Sequence, residues 1–93
     1  MAHNSTKVKT FIRKHGYLFW YINPKEKENI SHGVLIEFVL NFGDEQAVKE
    51  LFELLGTKYV AKFFYKKTKG RKRINYFPRV IHFFDLYFKR HAL

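Results

Sequence analysis

Helix caps and helix breakers divide this chain into short segments, each with the apolar repeat of an α-helix. Ser31 is placed to cap one helix, Gly43 to end it in a left-handed conformation, and Asp44 to cap the next. Gly56 then breaks that helix, and Thr57 is placed to cap a fourth. Such closely spaced signals predict an all-α fold, a compact single domain of four to five short helices.

Two further helices are predicted outside that central stretch. One runs from Lys7 to Lys14 and ends at Gly16, and the last begins near Pro78. Between them, Asn23-Pro24-Lys25-Glu26 has the pattern of another helix start, with Asn as the N-cap and Glu closing a capping box. The apolar spacing predicts that the buried sides of the helices consist of Val8, Phe11, Ile12, Val34, Leu35, Phe38, Val39, Phe42, Ala47, Val48, Leu51, Phe52, Leu55, Tyr59, Val60, Phe63, Phe64, Val80, Phe83, Phe84, Tyr87 and Phe88.

Aromatic side chains must supply much of the core. The 93 residues include eleven Phe, six Tyr and one Trp but no Cys, so disulfides and thiolate metal sites cannot stabilise the fold. Trp20, in the apolar cluster Leu18-Phe19-Trp20, fits no helical repeat and is expected to be buried. Residues 1–6 are expected to form a disordered N-terminus and residues 7–93 a single helical domain. No apolar run is long enough to cross a bilayer and no targeting segment is evident, so we expect a cytoplasmic protein with no membrane partner.

Two parts of the chain have a second interpretation. Residues 63–77 could form a basic β-hairpin that turns at Lys69-Gly70, which would make the fold a winged helix. A helix followed by a loop is preferred, because apolar and polar residues alternate poorly there.

The stretch Leu51–Gly56–Tyr65 resembles a helix-turn-helix, but Phe52 replaces the usual small residue and Lys62 replaces a residue that is usually buried. An ordinary αα-hairpin is the alternative.

Charge is distributed unevenly along the chain. Residues 54–93 contain eleven Lys and Arg against the single acid Asp85, and residues 1–25 contain five with no acid. Residues 26–53 contain seven acids against Lys27 and Lys49. A net charge of +10 and a pI near 10 favour a polyanion as partner, and nucleic acid is the usual one. The alternative is that the basic residues only keep a very aromatic small protein soluble.

The candidate nucleic-acid-binding residues form a helical row followed by a basic loop. Lys58, Lys62 and Lys66 recur every four residues, about 6 Å apart along a helix, similar to the spacing of phosphates along a strand. The complete predicted set is Lys58, Lys62, Lys66, Lys67, Lys69, Arg71, Lys72, Arg73 and Arg79. Arginine forks can contact guanine, so Arg71 and Arg73 are the candidates for base contacts, whereas the lysines would bind phosphates.

Tyrosines flank this loop, and acids occupy the middle of the chain. Tyr65 and Tyr76 could stack on bases or belong to the aromatic core. Four acids are expected to lie away from the basic loop, on a separate face for a protein partner or for self-association: Glu37, Glu45, Glu50 and Glu53.

Signals of catalysis are sparse. His82 and Asp85 lie three residues apart, a spacing at which both could reach one ligand, but no third or fourth ligand is near them. Asp44 and Glu45 are typical of a helix start, and the glycines form no phosphate-binding loop. We therefore expect no enzyme, no catalytic residue, no metal ligand and no cofactor.

Three segments resemble a known group of proteins: Leu18-Phe19-Trp20 followed by Pro24, then Val39 to Asp44, then Leu51 to Gly56. They are similar to those of small, uncharacterised prokaryotic domains with an LFW-type motif and a VL-x-[YF]-G-D step, and the closing Phe77-Pro78-Arg79 is similar too. The resemblance covers residues 18–90, although Tyr21 stands where many members have an acid. Members often lie beside nucleotidyltransferase-like toxin genes, so the resemblance implies an antitoxin-like or regulatory role.

Together these observations predict a regulatory or antitoxin-like domain that binds nucleic acid, with DNA favoured over RNA. A protein-interaction module whose basic face docks on an acidic partner, such as a cognate toxin, is the first alternative. A small RNA-binding protein is the second. A protein partner and a homodimer both stay open at this point.

Overall fold

Five α-helices make up the part of the chain that the computed structural model describes, namely residues 5–19, 22, 26–69 and 75–91. They are α1 (Thr6–Lys14), α2 (His32–Phe42), α3 (Glu45–Leu55), α4 (Thr57–Thr68) and α5 (Pro78–His91), with short 3-10 turns at Gly16–Phe19 and Lys27–Asn29. No strand occurs in these ranges, which confirms the all-α prediction. None of the described helices has both the length and the apolar character needed to cross a membrane.

Side-chain caps begin three of the helices. Ser31 Oγ accepts a hydrogen bond from the Val34 amide at 3.2 Å, and Asp44 Oδ1 accepts one from Ala47 at 2.8 Å, as predicted. Ser5 caps α1 in the same way. The helix therefore begins at Thr6, one residue before the predicted start at Lys7.

The two glycines that separate α2, α3 and α4 each end a helix, as predicted, but the positive φ occurs at Gly56 and not at Gly43. Gly43 was expected in a left-handed conformation, but its φ of −73° and ψ of 152° are extended. A Cβ there would come within 2.5 Å of the Val39 carbonyl oxygen, so the site requires a glycine for space. Gly56 has the positive φ, 91°, and it also occupies the N-cap position of α4. Thr57 is the first residue of that helix and not its predicted cap.

The buried sides of α2 and α5 also differ from prediction. In α2 the buried residues include Ile36 and Leu40, whereas Phe42 is 43% exposed. This helix is apolar nearly all round, so its sequence repeat cannot select one side. In α5 Phe84 and Phe88 are buried as expected, but Phe83 is 59% exposed.

Aromatic rings hold α4 and α5 together, as the composition predicted. Phe64 of α4 is fully buried, and its ring centre lies 5.3 Å from that of Phe88 and 5.2 Å from that of Tyr76. Leu18 and Phe19 are buried in the first 3-10 turn. The expected burial of Trp20 lies outside the described residues. Of the predicted helix start at residues 23–26, only Glu26 is described, and it directly precedes the 3-10 turn Lys27–Asn29.

The winged-helix alternative is wrong, because α4 continues to Thr68 and so contains the first six residues of the proposed hairpin. The helix-turn-helix interpretation also fails. A single residue, Gly56, joins α3 to α4, whereas a helix-turn-helix has a turn of about three to four residues. Phe52 packs on the α5 rings and Lys62 is exposed, so α3 and α4 form an ordinary αα-hairpin.

Candidate nucleic-acid interface

One side of α4 carries a row of exposed lysines. Lys58, Lys62 and Lys66 face solvent, while Val60 and Phe64 on the other side of the same helix are completely buried. The four-residue spacing separates neighbouring lysines by about 6 Å along the helix axis. The row predicted from the sequence therefore exists as an exposed, solvent-facing edge.

Lys69 extends this row past the end of the helix. Its Nζ lies 4.7 Å from the centre of the Tyr65 ring, close enough for a cation–π contact. We call Lys58, Lys62, Lys66 and Lys69 the lysine face. Helical geometry places all four within roughly a quarter of the circumference of α4.

Tyr65 links the lysine face to α5. Its hydroxyl donates a hydrogen bond of 2.8 Å to Asp85 Oδ1, and Lys89 Nζ lies 3.1 Å from Asp85 Oδ2. The Tyr65 hydrogen bond and then Lys89 hold the pKa of Asp85 below its usual value. Burial and the Asp85 carboxylate raise the pKa of Tyr65 to about 12. The only acid in residues 54–93 is thus already partnered.

Lys89 is a basic residue at this surface that the predicted set omitted. The sequence offered one signal, its position four residues after Asp85 in the same helix, but that spacing could not show that Asp85 also meets Tyr65 of α4. The contact brings Lys89 to the side of the molecule where Lys69 lies.

Two residues of the predicted set lie away from the lysine face. Lys67 turns toward α2, where its Cε lies 3.7 Å from the position that a Cβ on Gly33 would occupy. Arg79 lines a groove between α3 and α5 together with Glu45 and Glu53. Neither residue extends the row. The loop residues Arg71, Lys72 and Arg73 lie outside the described ranges, so their contribution stays a prediction.

Tyr65 and Tyr76, the tyrosines proposed for base stacking, both contact other parts of the fold. Tyr65 is hydrogen-bonded to Asp85, as described above. Tyr76 is only 4% exposed, so it cannot stack on a base, and its hydroxyl has no hydrogen-bond partner among the described residues. Burial, with a smaller effect of the Glu37 carboxylate, raises the pKa of Tyr76. Tyr59, which was expected to face inward, is instead 39% exposed, and its hydroxyl lies 2.7 Å from His32 Nδ1.

The four acids predicted to share one face lie on two helices, Glu37 on α2 and the other three on α3. Glu37 accepts a hydrogen bond from Asn75, beside the segment that follows the basic loop. Glu50 is paired with Lys14 at 2.9 Å and with the buried His15 at 3.2 Å. These contacts and a hydrogen bond from Gln46 lower the pKa of Glu50 to about 2. Glu45 and Glu53 line the groove between α3 and α5, and Glu53 also lines a pocket with Glu50. Three of the four acids are thus neighbours on α3, whereas Glu37 lies apart from them on α2.

His82 and Asp85 do not come together with further ligands. Asp85 is held by Tyr65 and Lys89, and the described part of the chain contains no cluster of three or more metal-ligating side chains.

Asn41 is a positioning residue that the sequence analysis did not single out. Its Nδ2 donates to the Asn75 carbonyl at 3.0 Å, and its Oδ1 accepts from the Phe77 amide at 3.1 Å. These two bonds attach the segment before α5 to α2. Nothing in the sequence near Asn41 indicates that its side chain bonds to residues more than thirty positions away.

No protein-family model matches the chain, and no curated protein or solved structure matches it either. The resemblance over residues 18–90 therefore stays a prediction. The residues of its second segment do have clear structural roles here: Val39 and Leu40 are buried, Asn41 holds the start of α5, and Asp44 caps α3.

Proposed function

We propose that this protein is a cytoplasmic, non-enzymatic domain that binds nucleic acid through the lysine face of α4. The observation that supports this most strongly is the charge of that helix. The whole of α4 contains no acid, and Lys58, Lys62 and Lys69 have no ion-pair partner among residues 5–19, 22, 26–69 and 75–91. Exposed cations of this kind gain free energy from phosphates by releasing the counterions that surround a nucleic acid.

The spacing of the lysine face favours a nucleic acid with regularly spaced phosphates, such as duplex DNA. Lysines about 6 Å apart on a rigid helix can each meet a different phosphate of duplex DNA, whereas a flexible basic tail would do so only after losing conformational entropy. Contacts of this type set affinity and orientation but do not read sequence. Any sequence preference would come from Arg71 and Arg73 in the loop.

Salt dependence measures how many lysines meet phosphates. If all four residues of the lysine face do so, log K against log salt has a slope of about −3.6 on duplex DNA, a loss of roughly 100-fold in affinity from about 50 to 200 mM salt. A Lys62→Gln/Lys66→Gln variant should bind more weakly on every duplex sequence, with a slope reduced to about −1.8.

Two single variants serve as controls. Lys49→Gln removes an exposed lysine of α3, on another side of the molecule, and should leave the slope unchanged. Lys67→Gln tests the placement of Lys67 against α2 and should change the slope much less than Lys66→Gln. Equal, weak affinity of the wild type and the double variant would refute the proposal and favour docking of the basic face on an acidic protein.

The biological role within this proposal is regulatory, and the resemblance to domains encoded beside nucleotidyltransferase-like toxins suggests an antitoxin. The type of nucleic acid is decided by repeating the titration with duplex DNA, duplex RNA and a single strand of the same sequence. DNA is expected to bind most tightly. Tighter binding of the duplex RNA, or of the single strand when it is RNA, would identify a small RNA-binding protein instead.

A further inference from the structure

An open groove lies between α3 and α5, and none of the residues that line it belongs to the lysine face. It has a volume of about 900 Å³. Val48, Phe52, Val80 and Tyr87 form its apolar floor, and the rings of Phe52 and Tyr87 stack with their centres 5.4 Å apart. Apolar surface in an open groove of this size is costly to leave in water and is typical of a binding surface.

The rim of the groove on α3 carries two acids, Glu45 and Glu53, with the exposed Lys49 between them. Glu45 and Glu53 lie eight residues apart, about 12 Å along the helix, and form no ion pair within the described part of the chain. Glu50 and Asp85, in contrast, are both paired with lysines. The two rim acids are therefore available to basic groups of another molecule.

The same side of the molecule has a stripe on α5 that complements this groove. Arg79, Phe83, Leu86 and Arg90 recur at intervals of three or four residues and so form one line along the helix. Phe83 is 59% exposed and Leu86 57% exposed, and both arginines are exposed. The stripe is thus apolar in its centre and basic at both ends, with the arginines about 16 Å apart along the helix axis.

We propose that a second copy of this chain occupies the groove, in a two-fold dimer in which the α5 stripe of each copy lies in the groove of the other. The apolar centre of the stripe covers the apolar floor, and its arginines meet Glu45 and Glu53 of the other copy. A two-fold interface requires one patch that contains both complementary halves. Arg79 and Phe83 of the stripe also line the groove, so stripe and groove form one continuous patch.

The overall charge of the molecule also supports this occupant. Two chains of net charge +10 repel each other over most of their surfaces. The charged residues that line the groove are the acids Asp44, Glu45 and Glu53 and the bases Lys49 and Arg79. The lining is therefore slightly acidic on a strongly basic chain, and a second copy meets less repulsion there than on the basic surfaces. The arrangement leaves the lysine face, on α4, uncovered in both copies.

Sedimentation equilibrium without nucleic acid tests the proposal. The wild type should sediment at twice the 11.3 kDa of the chain. Phe83→Glu should weaken the dimer by roughly tenfold or more, because it places a charge at the centre of the interface. Tyr17→Glu is the matched control: Tyr17 is also 59% exposed but lies in the first 3-10 turn, and its substitution should leave the dimer intact.

Charge reversal distinguishes this dimer from other associations. Glu45→Arg/Glu53→Arg and Arg79→Glu/Arg90→Glu should each be monomeric, whereas an equimolar mixture of the two should form a heterodimer. All four positions are on the surface, and far-ultraviolet circular dichroism should show both variants folded. A wild type that is monomeric at about millimolar concentration overturns the proposal. A dimer that Phe83→Glu leaves intact, or a mixture that fails to pair, overturns it equally.

Discussion

Replacement of Phe64 tests the aromatic core that positions the lysine face. Phe64 is completely buried, and its ring lies 5.2 Å from that of Tyr76, 5.3 Å from Phe88 and 6.3 Å from Phe84. Phe64→Ala removes the ring from the centre of this cluster and leaves a cavity that neighbouring rings can only partly fill. We expect a loss of about 3–5 kcal/mol in the free energy of unfolding. A domain of this size has roughly 5–14 kcal/mol in total, so the loss is a large part of it.

Urea denaturation followed by circular dichroism measures this loss. With an m value of about 1–1.5 kcal/mol/M, the midpoint should fall by roughly 2–5 M. If Phe64→Ala does not fold, Phe64→Leu, which keeps most of the volume, should fold with a loss of about 1–2 kcal/mol.

The neighbouring Phe63 provides the matched control, because it lies on the same helix but is only partly buried. Phe63→Ala should cost about 1–2 kcal/mol. Equal losses at the two positions, or a loss at Phe64 below about 1 kcal/mol, would refute the packing described for α4.

Two further predictions concern acid stability and the α3–α4 joint. The pKa of Glu50 is about 2 in the folded protein against 4.5 for the free group, so its pairing stabilises the fold above about pH 4.5 and is lost as the pH falls toward 2. In urea titrations across this range, the wild type should be more stable than Glu50→Gln at the upper end, and the difference should vanish near pH 2. Gly56→Ala should lower the free energy of unfolding by about 1 kcal/mol or more, because a φ of 91° strains any residue other than glycine. Gly16→Ala is the control and should be near neutral, because Gly16 has open space around it and no positive φ. Equal urea midpoints for the two variants would contradict the assigned turn.

The sequence determined the starts of α2 and α3 and the composition of the core. A cap depends on a side chain and an amide three residues later, so Ser31 and Asp44 could be assigned without knowledge of the rest of the fold. The aromatic core followed from composition, since a chain without Cys has few other ways to stabilise so small a domain. The row Lys58, Lys62 and Lys66 followed from helical periodicity alone.

The tertiary structure decided which side of each helix is buried and which charges have partners. α2 is apolar on almost every side, so only its neighbours could select Ile36 and Leu40 over Phe42. Lys66 and Lys67 are adjacent in sequence, but one turns to solvent and the other toward α2, because about 100° of helix separates them. The periodicity that predicts a helix is a local property. The contacts that give its residues their partners join positions far apart in the chain, and no short segment of sequence contains them.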